Sequence, residues 1–250
     1  PVGAVGLLPR RRMGLMVVRA SPGRHRGADL HQFTRRLLVV CAGALVLRVA
    51  YVLLVTRHQE FPSALNGSAV TRSYDEAYYV QAADSLANGT WFRFGVLGPP
   101  VDQAAHPPLT SLALAPVREL GGSELVLRLV MAVVGTVTVG VIGLTGRVVA
   151  GARAGLVAAG LAAVYPNLWM NDGLIMAETG TALTTALAVL ATLALLRDPT
   201  VARAAAVGLC CGLAALARSE LVLLAPLVAV VVLARPATGH RSDGNTSSPS

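Results

Sequence analysis

Residues 174–196 read LIMAETGTALTTALAVLATLALL, an apolar run whose single charged residue, Glu178, lies near its start. A helix that spans a bilayer needs about 20 mostly apolar residues. The run therefore predicts a transmembrane helix with an acid close to one membrane boundary. An ionisable side chain at the bilayer centre costs roughly 2.5–3.5 kcal/mol on insertion scales, and such residues often mark polar cavities or pathways. Glu178 is accordingly a candidate site residue.

Similar apolar runs make up most of the chain, which is 54% hydrophobic and 14% charged, with a mean hydropathy of +0.61. Soluble domains rarely have this composition. We predict an all-α polytopic transmembrane helix bundle with six spans, the sixth short enough to be re-entrant or packed inside the bundle. The spans are Leu37–Val55, Leu125–Gly146, Ala154–Met170, Leu174–Leu196, Val201–Ala217 and Leu221–Ala234.

Arginine positions predict the orientation in the plasma membrane, because Lys and Arg in short loops are held on the cytoplasmic side. Residues 1–36 contain eight arginines and one acid. We expect them to form a disordered cytoplasmic tail that contacts anionic lipid headgroups rather than nucleic acid. The transmembrane domain then covers residues 37–235, its long loop at 56–124 is extracytoplasmic, and residues 236–250 form a disordered polar tail.

The outer loop is predicted to carry two short amphipathic helices on the membrane surface. Ser73 and Glu76 have capping-box spacing, and apolar residues then recur with helical period until Asn88-Gly89 ends the pattern. A second helix is predicted from Pro107-Pro108 to Pro116, because proline suits the first turn of a helix.

Four groups of residues follow one another along the chain. They are Asp75-Glu76-Ala77-Tyr78-Tyr79 with Gly89, His106-Pro107-Pro108-Leu109, Tyr165-Pro166 with Glu178, and the glycine-rich segment Gly208–Arg218. Together they resemble integral-membrane glycosyltransferases of the GT-C type, in particular protein O-mannosyltransferases and aminoarabinose lipid A transferases. The resemblance covers about residues 37–235 and corresponds to the N-terminal half of such enzymes, which predicts a truncated form or a fragment.

The resemblance implies transfer of a hexosyl or pentosyl group from a polyprenyl-phosphate donor to a lipid, glycan or protein acceptor, with inversion. Asp75 is then the general base on the acceptor hydroxyl, and such a carboxylate can contribute roughly 10²–10⁴-fold. Cationic or donor groups should stabilise the charge on the departing phosphate, although histidine is only partly charged at pH 7. The other candidates are Glu76 and Glu178 for catalysis, His106, Arg218 and Arg128 for the donor phosphate, and Asp172 and Tyr79 as further site residues.

Each candidate also has a structural interpretation. Acids in the first turn of a helix are favoured by the helix dipole and by capping, which applies to Asp75, Glu76 and Glu178. Arg48 is expected to snorkel or to pair inside the bundle. Gly208 and Gly212 have a spacing typical of close helix packing.

The alternative function is that of a non-catalytic membrane protein, either a transporter-like bundle or a degenerate subunit that binds a polyprenyl lipid. Transporters tend to contain internal repeats and broken helices, and we find neither pattern in the sequence. The three cysteines, Cys41, Cys210 and Cys211, suggest neither a disulfide framework nor a metal site. No dense cluster of metal ligands requires a cofactor, and a divalent metal stays an open alternative.

Overall fold

A computed structural model describes residues 26–56, 74–96 and 98–234. The predictions for residues 1–25 and 235–250 lie outside the described residues, as does the proposed capping residue Ser73. The helices are α1 (Arg26–Leu54), α2 (Tyr74–Ala87), α3 (Leu109–Glu119), α4 (Glu124–Ala150), α5 (Ala152–Val164), α6 (Pro166–Asp172), α7 (Ala177–Arg197), α8 (Val201–Ala217), the 3-10 helix η1 (Ser219–Leu223) and α9 (Leu224–Leu233). Two short antiparallel strands, β1 (Arg93–Phe94) and β2 (Val101–Asp102), separate α2 from α3. The predicted all-α fold is confirmed.

Among the described residues, three helices are long and apolar enough to cross a membrane. They are α4, α7 and the segment Asp29–Leu54 of α1. They coincide with the first, second and fourth predicted spans. The third predicted span is not one helix, because Tyr165 is extended (φ −69°, ψ 116°) and Pro166 begins the separate α6. A residue before proline avoids the α conformation, which explains the break. The fifth predicted span is the 17-residue α8, and the sixth is divided between η1 and the 10-residue α9.

α1 begins 11 residues before the predicted span, so the prediction that residues 26–36 are disordered is wrong. Phe33 is buried in a cluster with Val139 of α4 and Ala159 of α5. The Arg147 guanidinium lies 4.5 Å from the centre of the Phe33 ring. These tertiary contacts, rather than local apolar character, extend the helix.

α4 is the central helix and packs against α1, α5 and α7. Glycines allow its close approach to α5: a Cβ atom on Gly155 would lie 2.5 Å from the Gly143 carbonyl oxygen. This packing leaves one end of α4 and the start of α7 beneath the α2–α3 layer, where the candidate site lies.

α2 and α3 form a layer over that end of the bundle. Of the five apolar positions that predicted α2, Ala77, Val80 and Ala83 are buried, whereas Leu86 and Ala87 are half-buried. The helix ends at Ala87 before Gly89, which has a positive φ of 73°. Most of α2 is enclosed by other parts of the protein. α3 also continues past Pro116, the predicted end, to Glu119.

Candidate functional site

The first pair of site residues joins α2 to the segment before α3. Asp75 lies in the first turn of α2, and its Oδ1 is 3.3 Å from Nε2 of His106. The His106 ring also contacts two tyrosines, with ring centres 4.7 Å from Tyr78 and 5.4 Å from Tyr79. His106 is thus oriented by both aromatic packing and a carboxylate.

Glu76 lies in a different environment from its neighbour. The Asp75 side chain is 47% exposed, whereas that of Glu76 is 1% exposed and its Oε1 lies 2.7 Å from Nη2 of Arg128. The same carboxylate oxygen accepts a bond from the backbone N–H of Ile175 at 3.4 Å, and Arg128 Nη1 donates to the Gly173 carbonyl at 2.7 Å. Glu76 and Arg128 therefore form a buried pair that holds the α6–α7 connection.

The second pair joins the start of α7 to the end of α8. Glu178 lies in the first turn of α7, and its Oε1 is 3.2 Å from Nη1 of Arg218. Arg218 caps α8 in an extended conformation, and its Nε also donates to Oε1 of Glu220 at 2.9 Å. The Arg218 side chain remains 43% exposed. It can therefore contact a ligand at the end of the bundle while bound to two carboxylates.

Tyr79 lies between the two pairs. Burial, followed by the negative charges of Glu178 and Asp75, raises the pKa of Tyr79 to about 12. That both acids act on this side chain indicates that the pairs share one electrostatic environment. The hydroxyl consequently stays protonated and can donate a hydrogen bond.

Further polar atoms lie on α7 in the turns that follow Glu178. Oε2 of Glu178 and the hydroxyls of Thr181 and Thr185 are buried and have no hydrogen-bond partner among the described residues. Their spacing of three and then four residues places them on one face of the helix. Neither threonine was among the predicted site residues, although this spacing after an acid is the signal that could have identified them.

Asp172 lies inside the bundle rather than in the exposed cluster, and it is 2% exposed. Its Oδ2 is 2.6 Å from Nε of Arg48, and its Oδ1 accepts a bond of 2.8 Å from Thr179. Arg48 therefore pairs inside the bundle, as predicted. A Cβ atom on Gly135 would collide with the Asp172 carboxylate, so the glycine makes room for this pair.

No group of three or more His, Cys, Asp or Glu side chains suited to a metal ion occurs within residues 26–56, 74–96 and 98–234. Asp75 and His106 form a pair, but they do not belong to such a group among the described residues. The chemistry of the cluster is thus that of carboxylates, a guanidinium, an imidazole and a phenol.

An apolar helix bundle with this polar cluster at one end defines a membrane protein with a site near the ends of its helices. The family model for dolichyl-phosphate-mannose-protein mannosyltransferase matches residues 105–243, more than half of the chain. The chain belongs to this family and is a membrane glycosyltransferase of the GT-C type, as the sequence resemblance predicted. No match was found among curated proteins or among solved structures.

The matched segment contains five of the candidates, namely His106, Arg128, Asp172, Glu178 and Arg218. Asp75, Glu76 and Tyr79 precede it. The family implies a lipid-linked sugar donor and an acceptor at the membrane, and it favours a glycosyltransferase over the transporter-like alternative.

Proposed function

We propose that the protein transfers a sugar from a polyprenyl-phosphate donor to an acceptor hydroxyl on the extracytoplasmic side, with inversion and with Asp75 as general base. The observation that carries this proposal is the half-exposed Asp75 carboxylate at 3.3 Å from His106, beside a Glu76 that is buried and paired. An acceptor hydroxyl can approach Asp75 from solvent, whereas Glu76 is enclosed. Proton transfer needs such direct access.

Asp75 takes the acceptor proton as the new glycosidic bond forms. His106 supports this step by holding the carboxylate, and its own orientation is set by the rings of Tyr78 and Tyr79. Attack from the side opposite the departing phosphate inverts the anomeric carbon. Asp75 and the phosphate-binding group must then lie on opposite sides of the sugar.

Arg218 is our candidate for the departing phosphate. Its contacts with Glu178 and Glu220 use Nη1 and Nε, and a guanidinium has five N–H donors in all. It can therefore bind phosphate without losing both carboxylates, and a charge-assisted contact of this kind stabilises the developing negative charge. Arg128, enclosed beside Glu76, is assigned a structural role instead.

Tyr79 and Glu178 provide groups for the sugar itself. The protonated Tyr79 hydroxyl can donate a hydrogen bond, and the Glu178 carboxylate, whose side chain is 39% exposed, can accept one from a sugar hydroxyl. A lipid-linked sugar offers both donors and acceptors to these groups.

The length of α7 supports the extracytoplasmic side. Glu178 and Arg197 are 19 residues apart in one helix, a distance of about 28 Å at 1.5 Å per residue, close to the thickness of a bilayer core. Arginines Arg147, Arg153, Arg197 and Arg203 lie at or beyond the Arg197 end. By the positive-inside rule, that end is cytoplasmic and the Asp75 cluster faces outward.

The test is sugar transfer from polyprenyl-phosphate mannose to a peptide containing Ser and Thr, with detergent-purified protein and its Asp75→Asn variant. We expect the variant to lose at least about 100-fold in turnover while donor binding is retained. Asp102→Asn is the matched control, because Asp102 is an exposed acid on β2 of the same loop. Full turnover by Asp75→Asn would exclude Asp75 as base. Donor binding by the unmodified protein without sugar release would instead indicate a lipid-binding subunit.

A further inference from the structure

A pocket lies between α4, α7 and α8 at the end of the bundle opposite Asp75. It has a volume of about 180 Å³ and is lined by Val148, Leu190, Ala194, Arg197, Asp198 and Arg203. Three of these residues are apolar and three are charged. The mechanism proposed for sugar transfer uses none of them.

The pocket residues are arranged by depth along α7. Ala194 and Leu190 lie three and seven residues before Arg197, which places them about 4.5 Å and about 10.5 Å deeper along the axis at 1.5 Å per residue. Since α7 is about as long as a bilayer core is thick, Arg197 lies near the lipid phosphates. Ala194 and Leu190 lie at the depth of acyl chains.

The charged rim has a defined geometry. Arg197 folds back over α4 and donates from Nη2 to the Val148 carbonyl. Arg203 Nη1 lies 2.5 Å from Oδ2 of Asp198 and also donates to the Asp198 carbonyl at 2.5 Å. Two guanidinium groups and one carboxylate leave one net positive charge, which matches the single negative charge of a phosphodiester. The first turn of α8, which carries Arg203, adds the partial positive charge of a helix N-terminus.

We propose that this pocket binds the phosphodiester headgroup of an anionic membrane lipid, with an acyl chain against Leu190 and Ala194. Basic pockets between transmembrane helices are suited to such headgroups. If Arg197 and Arg203 served only to orient the helices in the membrane, a pocket lined by their side chains would not be needed. The site is distinct from the donor site, because it lies at the other end of α7 from Glu178.

The test is a titration of the purified full chain with phosphatidylglycerol or phosphatidylcholine in mixed micelles, followed by native mass spectrometry. We expect phosphatidylglycerol to bind more tightly, and each of Arg197→Gln and Arg203→Gln to weaken its binding about five-fold. Arg153→Gln is the matched control, because it removes an exposed arginine at the same end without altering the pocket. An equal loss with Arg153→Gln would show general charge attraction and overturn the proposal.

A second variant tests the apolar part without changing charge. Ala194→Phe fills the pocket floor and should weaken phosphatidylglycerol binding, with helix content measured by circular dichroism unchanged. Normal lipid binding by this variant would overturn the assigned acyl position. Displacement of phosphatidylglycerol by inorganic phosphate at equal concentration would identify a free-phosphate site and overturn the lipid assignment.

Discussion

Asp75 and Glu76 are consecutive in α2, yet the first carboxylate is half-exposed beside His106 and the second is enclosed with its Oε1 2.7 Å from Arg128 Nη2. Helical geometry separates neighbours by about 100°. The Asp75 side chain consequently faces solvent, while the Glu76 side chain faces the bundle. The two acids should therefore differ in what their removal costs.

Glu76→Gln should destabilise the protein by about 3 kcal/mol, because it removes the negative charge that lies 2.7 Å from the buried Arg128 guanidinium. Asp75→Asn should cost less than about 1 kcal/mol, since its contact is partly exposed. Thermal unfolding in one detergent, with both variants measured together, checks the difference. Equal losses would contradict the division between a structural and a solvent-facing acid.

Gly135→Ala should destabilise the protein by about 1–3 kcal/mol, the usual range for overpacking, because the new Cβ would meet the Asp172 carboxylate. Gly140→Ala is the control on the same helix. A Cβ there would have Cys41 Sγ as its neighbour at 3.6 Å, an ordinary contact. The control should be neutral or stabilising by up to about 1 kcal/mol, from the higher helix propensity of alanine. A tolerated Gly135→Ala would refute the close approach of Asp172 to α4.

Arg48→Met and Asp172→Leu should each destabilise the protein by about 3–5 kcal/mol, because each strands one buried charge. The double variant should recover most of that loss, since an apolar pair can replace a buried ion pair. Unfolding measurements on all four proteins give the coupling energy directly. Additive losses would mean that the two side chains do not interact.

Arg218→Gln should raise the dissociation constant for a polyprenyl-phosphate sugar about ten-fold, the range of a lost charge-assisted hydrogen bond. Glu220→Gln should change it less than about two-fold, because that carboxylate is exposed and its pair with Arg218 is weak. Donor titration by fluorescence or calorimetry distinguishes the two. An unchanged affinity in Arg218→Gln would remove this residue from the donor site.

Tyr79 should ionise well above the ordinary range for tyrosine in an alkaline titration, because burial and then the charges of Glu178 and Asp75 raise its pKa to about 12. The folded pKa exceeds the unfolded value of 10.0. The stabilising contribution is therefore complete below pH of about 10 and is lost as the pH rises towards 12. Tyrosinate absorbance should lose its most alkaline step in Tyr79→Phe. Tyr74→Phe, which removes an exposed tyrosine from the same helix, should keep that step.

Local patterns in the sequence predicted three of the six apolar spans and the end of α2 before Gly89. For Arg48 they left two alternatives, snorkelling or pairing inside the bundle, and the structure shows the pairing. They could not predict the burial of α2, because that depends on Leu127 of α4 and Ile175 of the α6–α7 connection. The burial of Asp172 inside the bundle was likewise not predicted, because its partner Arg48 is 124 residues away in the sequence. The break at Tyr165 was readable from Pro166, but the continuous apolar character of the segment concealed it.

The candidate site residues were predicted mainly from the resemblance to GT-C glycosyltransferases. Asp75, His106, Glu178 and Arg218 are separated by long stretches of chain, so spacing alone did not join them. The structure groups them as two pairs with Tyr79 between. Glu220, Thr181 and Thr185 were missed because their roles depend on side-chain direction at the end of α8 and along one face of α7.

Three contacts hold the end of α6 and the short connection to α7 in place. Asp172 pairs with Arg48, the Gly173 carbonyl accepts a hydrogen bond from Arg128, and the Ile175 amide donates one to Glu76. This connection immediately precedes the turn that presents Glu178. A random mutational screen for lost sugar transfer should therefore recover many substitutions within α1, α4 and α6 that never meet the substrate. Second-site suppressors of such mutations should fall at the partner residue of the same contact and would thereby identify the side chains that hold this connection in place.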